Sequence, residues 1–337
     1  MFSMQSFDIH GVRVRVETEF TVLAEGVADL LRRFPGASPE GAEVLQMTYR
    51  NGATSVGRLD TRPGLRDERV FSSSWDTTID LTGRLGIRLD VYRQDGQLLF
   101  DYHRHGFLRL DTGTGVLDGH LVEPIDLHPA VLASFFFMLP LSKLLACRGL
   151  HMIHAAALER NGKGVMIPGM SGSGKTTCCV SLIRAGYRCL SDDKPFLRDH
   201  GGRIALLAFP ERIDVTERTI SFFPELGAAS QGTLRTGYRK RQFHPEALYP
   251  GSSGDVAQPV VILFPRISGE PRSRVEKLSK RAGFEALLPL SLVALDRETS
   301  ARRFDLLARL VEGADCYRLS FGRDVLELPR LIDSLLG

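Results

Sequence analysis

Three absences narrow the possibilities before any motif is read. Basic and acidic residues nearly cancel, 43 Lys and Arg against 40 Asp and Glu in 337 residues, so no global charge draws the chain to nucleic acid. Cysteine is scarce and unpatterned. Cys147, Cys178, Cys179, Cys189 and Cys316 show no metal-ligand spacing, and their odd number argues for reduced thiols in the cytosol. Long apolar runs are also missing. The opening MFSMQSFDIHGVRVRV gains charge early and has no stretch of signal-peptide length. The most apolar segment, 130–145, contains Ser134, Pro140, Ser142 and Lys143. Its clean part is about a dozen residues, short of the ~20 needed to cross a bilayer. The expectation is a cytoplasmic protein with neither membrane nor nucleic acid as partner. No internal repeat is evident, and the length suits two domains.

Residues 1–126 read as β-rich. Val12, Val14 and Val16 alternate with Arg13, Arg15 and Glu17, giving a strand with one apolar face. Ala28 to Phe34 reads as an amphipathic helix stopped by Pro35-Gly36. Residues 87–92 and 97–102 form a hairpin around Asp95-Gly96, and 108–111 and 115–122 extend it. A helix over 130–147 and a strand over 150–158 lead into the richest stretch of the chain.

That stretch, 165–193, reads VMIPGMSGSGKTTCCVSLIRAGYRCLSDD. Gly169, Met170, Ser171, Gly172, Ser173, Gly174, Lys175 and Thr176 fit the phosphate-loop pattern G-x-x-x-x-G-K-[ST], and Thr177 follows. Glycines let backbone N–H groups converge on phosphate oxygens, and the helix N-terminus behind them adds partial positive charge. Lys175 would lie along the β- and γ-phosphates, and the Thr176 hydroxyl would reach a magnesium ion. The context is right: an apolar strand precedes the glycines, and 176–185 reads as a helix that Gly186 stops.

A helix from Lys175 to Ala185 travels about 16 Å, and an extended 187–191 returns about as far. The two strands of such a unit run parallel, so Asp192 and Asp193 fall at the loop's own sheet edge. Paired carboxylates beside a phosphate can hold magnesium or take a proton from an attacking hydroxyl; a polar turn closing a strand would use the same residues. His154, taken alone, reads as a core histidine.

His154 in IHAAAL, then GMSGSGKTT, then LIRAGYRCLSDD together resemble the catalytic core of HPr kinase/phosphorylase, a family sharing its fold with ATP-type phosphoenolpyruvate carboxykinases. The resemblance implies ATP and Mg2+ as cofactors, Lys175 on the phosphates and Thr176 on the metal. It implies Asp192 as general base for a target serine, with Asp193 and His154 as its supports. Metal ligands would be Thr176 and Asp193, and Glu211, which with Arg212 could equally be a solvated charged turn, could join them. Tyr187 stands where the family usually has histidine. The LEIRG-type signature is replaced by residues 208–213, AFPERI, which is more similar to HPr-kinase-related proteins of peptide-modification pathways. Phosphorylase activity and HPr as acceptor therefore do not follow.

Downstream, 194–197 and 203–209 suggest a hairpin, and Arg235, Arg239, Lys240 and Arg241 form a basic loop. One of its members could stabilise a transferring phosphoryl group. Val260 to Phe264 reads as a buried strand, and Phe304, Leu307, Ala308 and Val311 as one helix face. Tyr317 to Phe321 reads as a late strand, and 324–336 as a helix that Pro329 kinks. The expected fold is α/β, with a β-rich accessory domain at 1–126 and an HPr-kinase-like nucleotide domain at 127–337. The expected function is an ATP-dependent kinase acting on a serine of a protein or peptide, and a homo-oligomer is compatible with the resemblance. A kinase for a small-molecule alcohol and a non-catalytic ATP sensor are the rival readings.

Overall fold

The computed structural model describes residues 2–36, 44–52, 68–78, 84–122, 129–210, 212–229, 241–290 and 295–337. The expected boundary at 126/127, Glu211, Arg235, Arg239 and Lys240 lie outside the described residues. The protein is mixed α/β, and it divides into two compact units between Arg148 and Gly149.

The first unit is built on one sheet. Its strands are β1 (Ser3–Ile9), β2 (Val12–Thr18), β3 (Val44–Asn51), β4 (Glu68–Thr78), β5 (Arg84–Gln94), β6 (Gln97–Asp101), β7 (Gly106–Asp111) and β8 (Val116–Leu121), in the order β1-β2-β3-β8-β7-β6-β5-β4. The β5–β6 hairpin turns at Asp95 and Gly96, whose φ angles of 47° and 80° are the left-handed pair such a two-residue turn demands. Helix α1 spans Thr21–Leu30, earlier than the expected 28–34. Gly26 explains the shift. A Cβ there would stand 2.1 Å from the Pro129 carbonyl oxygen, so this mid-helix glycine is kept for close packing. The expected helix over 130–147 is a single run of three parts, α2 (Pro129–Leu132), a π-helical turn (Ala133–Met138) and α3 (Leu139–Cys147). Two buried tyrosines serve that turn: Tyr49 Oη donates to the Phe136 carbonyl at 3.1 Å and Tyr102 Oη to the Phe135 carbonyl at 2.5 Å.

The second unit has three layers. Its strands are β9 (His151–Met152), β10 (Ala155–Arg160), β11 (Lys163–Pro168), β12 (Arg188–Ser191), β13 (Phe196–His200), β14 (Arg203–Leu207), β15 (Ile213–Val215), β16 (Arg241–Phe243), β17 (Val256–Ile267), β18 (Arg274–Lys277) and β19 (Asp315–Phe321). Its helices are α4 (Lys175–Arg184), α5 (Glu217–Phe222), α6 (Glu225–Ala229), α7 (Pro245–Leu248), α8 (Lys280–Leu287), α9 (Arg297–Gly313) and α10 (Leu328–Leu336). Period-two alternation splits the core. Val165, Ile167, Val261 and Leu263 face α4 and α10, while Met166, Ile262 and Cys316 face α8 and α9.

Strands β11, β17 and β19 are mutually parallel. β11 and β12 are also parallel, though not adjacent: β10 lies between them, antiparallel to both. The loop and the aspartates thus share a sheet edge, as expected, across one inserted strand. The single strand expected at 150–158 is instead two, because the chain leaves the ladder at Ile153 and His154. β9 pairs with β13, and β10 with β11 and β12. Two further expectations change. Phe304 is 54% exposed, the buried stripe of α9 being Leu306, Leu307, Leu310 and Val311. Pro329 lies in the first turn of α10, where its missing N–H costs nothing, and so starts the helix.

Candidate functional site

The loop between β11 and α4 is shaped by its glycines. Gly172 and Gly174 have φ angles of 83° and 104°. A Cβ on Gly169 would meet Ser173 Oγ at 2.5 Å, and one on Gly174 would meet the Phe321 ring at 3.1 Å. Met170 is 66% exposed; Ser171 and Gly172 are exposed with it. Ser173 N–H donates to Met170 O at 3.2 Å, closing the turn. Ser173 Oγ is buried without a hydrogen-bond partner.

Lys175 opens α4 and is only 7% exposed. Its Nζ folds back to donate to the Gly169 carbonyl and to His154 Nε2 at 3.0 Å. Since the ammonium can only donate, His154 Nε2 must accept, which puts the imidazole proton on Nδ1. Nδ1 lies 3.0 Å from Asp193 Oδ1, and the other oxygen of Asp193 is 3.2 Å from Lys194 Nζ. A chain of contacts Lys175–His154–Asp193–Lys194 results. The break in the strand makes it possible, for at His154 the backbone N–H donates to Leu290 O, off the ladder.

Thr176 Oγ1 donates to Asp192 Oδ2 at 3.1 Å. Asp192 Oδ1 is shut off from solvent and has no partner. Burial, then the neighbouring charge of Asp193, push the Asp192 carboxyl up to about 7, against the pull of Thr176 and Lys175; Asp214 pushes in the same upward direction. Burial acts upward on Asp193 too. There the hydrogen bond from His154, with the charges of Lys194 and Lys175, outweighs it and holds the carboxyl well below the usual range. Two adjacent aspartates are thereby set to opposite roles, one readily protonated and one a fixed anion.

The structure brings together Gly169, Lys175, Thr176, His154, Asp192 and Asp193. It turns Thr177 elsewhere: its hydroxyl bonds Thr219 Oγ1 at 3.0 Å, tying α4 to α5. Arg241, from the basic loop, pairs with Glu217 at 2.9 Å. Cys178 and Cys179 lie in the core, where burial pushes the Cys178 thiol up to about 12. Three contributors escape a reading of the sequence. Ser191 Oγ accepts the N–H groups of Asp193 at 3.3 Å and Lys194 at 2.9 Å, fixing the turn; serine before two such residues is a known turn former. Lys194 gives its signal only by adjacency. Asp214, held by Gln242 Nε2 at 2.6 Å, depends on the β15–β16 register and leaves no local mark.

A phosphate group fits this loop, which offers glycine backbone at every tight point and a buried hydroxyl without a partner. Among the described residues no three His, Cys, Asp or Glu side chains converge as a metal site. Magnesium beside a nucleotide needs none, since it takes one or two protein oxygens together with phosphates and water. Among the described residues no helix is long and apolar enough to cross a membrane.

No family model matches the chain, and no curated protein matches it. Among solved structures it is similar to the Hpr(Ser) kinase/phosphatase from Coxiella burnetii, at 15% identity over 55% of this chain and 93% of that one, with a TM-score of 0.29. So loose a superposition decides nothing about chemistry, which has to come from the residues of the site.

Proposed function

We propose that the protein is an ATP-dependent kinase with an HPr-kinase-like phosphate-loop core, which transfers the γ-phosphate to a serine hydroxyl of a protein or peptide. The supporting observation is the meeting of Thr176 with Asp192, a carboxylate tuned to about 7 with one oxygen free, at the mouth of a glycine loop. ATP and Mg2+ are the cofactors this reading assigns. Thr176 and Asp193 would hold the magnesium ion, whose charge offsets that of the phosphates, which leaves Asp192 for the proton.

The residues then divide the work. Loop amides and Lys175 bind the phosphates, with Lys175 giving up the Gly169 carbonyl for a phosphate oxygen. Ionised Asp192 takes the proton of the acceptor hydroxyl. The hydroxyl oxygen bonds to the γ-phosphorus as the bond to the β-phosphate oxygen breaks, and ADP leaves with those electrons. His154 and Asp193 are positioning residues that hold Lys175 and keep a fixed negative charge beside the base. Under the same proposal residues 127–337 form the kinase domain, 1–126 are accessory, the protein works in the cytoplasm, and a homo-oligomer is compatible.

The test is to incubate the protein with γ-labelled ATP, magnesium and extract of its host, with Asp192→Asn as control. Label on a protein or peptide, absent with the variant, is the expected result. Label confined to small molecules would replace the acceptor class. ATP binding with no transfer in any fraction would overturn the kinase reading in favour of a nucleotide sensor.

A further inference from the structure

The ends of β17, β18 and β19 carry a cluster of arginines that the chemistry above does not use. Parallel pairing sets Arg266 opposite Ser320, and antiparallel pairing sets Arg274 opposite the same serine. The two arginines therefore flank one residue on one face of the sheet. Arg272 and Arg323 come to the same corner. A Cβ on Gly322 would stand 2.5 Å from the Arg272 carbonyl carbon, and Arg323 N–H donates to Glu270 O at 2.9 Å.

All four are exposed. Arg318, one step back along β19, is neutralised by Glu276 at 2.8 Å, and elsewhere in this unit Arg160 has Asp333 and Arg309 has Asp199. Arg266, Arg272, Arg274 and Arg323 have no carboxylate partner among the described residues. Of the local carboxylates, Asp324 is taken up by two hydrogen bonds from Ser273, which leaves Glu270 as the acid of this corner.

The phosphate loop lies across the strand end from this cluster: Ile267, 38% exposed, follows Arg266 and so turns to the opposite face, where a Cβ at Gly174 would lie 3.6 Å from Ile267 Cγ1. Guanidinium forks match carboxylates in pairs. Among the described residues no exposed aromatic ring stands in the patch to stack a base, as single-stranded nucleic acid would require.

We infer that this corner docks an acidic peptide segment, Arg266 and Arg274 taking its carboxylates from one face of the sheet. Identifying that segment as part of the phosphate acceptor rests on the kinase reading; the docking itself does not, and is tested without transfer.

The full chain is titrated, by fluorescence anisotropy, into a labelled Glu/Asp-rich peptide carrying one serine, its Gln/Asn counterpart, and a single-stranded oligonucleotide. The acidic peptide should bind and its amide counterpart should not. Arg266→Gln with Arg274→Gln should weaken binding about tenfold, as should Arg272→Gln with Arg323→Gln. Arg203→Gln with Arg297→Gln, outside the cluster, should change nothing, and ATP affinity by calorimetry should hold throughout. Equal binding of the two peptides, indifference to the cluster variants, or tighter binding of the oligonucleotide would overturn the inference. A fall in ATP affinity in the cluster variants would also overturn it, reassigning the arginines to the nucleotide. Docking that persists where no transfer is detected would uphold it while removing the kinase reading.

Discussion

Replacing Asp192 by asparagine should make the protein more stable at alkaline pH while ending transfer. The carboxyl is raised from 3.8 to about 7 by burial and by Asp193, so the folded state keeps a proton that the unfolded chain sheds. The stability this group contributes is full below pH ~4 and is lost as pH rises through about 7. Taken at ~1.4 kcal/mol per pH unit, the difference sets a ceiling of ~4 kcal/mol on what the ionised group costs the fold. The pull of Thr176 and Lys175 is already contained in the value of about 7, so asparagine should recover up to ~4 kcal/mol near pH 8, falling to less than half of that at about pH 5, where only the unfolded chain is ionised. Urea unfolding of both proteins at the two pH values reads the effect directly. An asparagine variant that is less stable near pH 8, or equally displaced at both pH values, would show that Asp192 is not held out of its ionised form by its surroundings.

The same carboxyl predicts that kcat/KM for transfer rises with pH through about 7 in the free enzyme, since only the anion accepts the acceptor's proton; a profile flat from about pH 5 to pH 8 would contradict a base at this position. Away from the site, Lys280 Nζ donates to the carbonyls of Val311, Glu312 and Ala314 at 2.8–3.0 Å, closing the C-terminal end of α9. Lys280→Met should cost ~1–2 kcal/mol by thermal or urea unfolding with ATP affinity unchanged, and a neutral result would mean that water serves those carbonyls as well.

Much of the second unit was legible because its signals are local. The glycine spacing of 169–174, the helix that Gly186 ends and the return to Asp192 all lie within one short stretch, and the strand–loop–helix geometry follows them. The Asp95-Gly96 hairpin was legible for the same reason. What stayed hidden depends on partners distant in sequence. Residues 150–158 read as one apolar strand, and only hydrogen bonds to Leu290, Pro195 and Asp193 break it at His154. The helix expected at 28–34 begins instead at Thr21, since nothing nearby announces the close approach of Pro129 to Gly26. The contributions of Lys194 and Asp214 likewise need the assembled site, and Asp214 needs the register of two short strands besides.

Strand β10 has one more consequence, for motion. It is hydrogen-bonded on one side to the strand that carries the phosphate loop and on the other to the strand that ends in the aspartates, and His154 immediately precedes it. The groups that would meet a phosphate are therefore fixed to one slab whose middle is fully buried at Ala156, Ala157 and Leu158. Amides in such a place exchange with solvent only when the whole unit opens. Any opening and closing during turnover must then belong to side chains and surface loops, with Lys175 exchanging the Gly169 carbonyl for another oxygen, while the distance from loop to carboxylates stays as constant as the sheet itself.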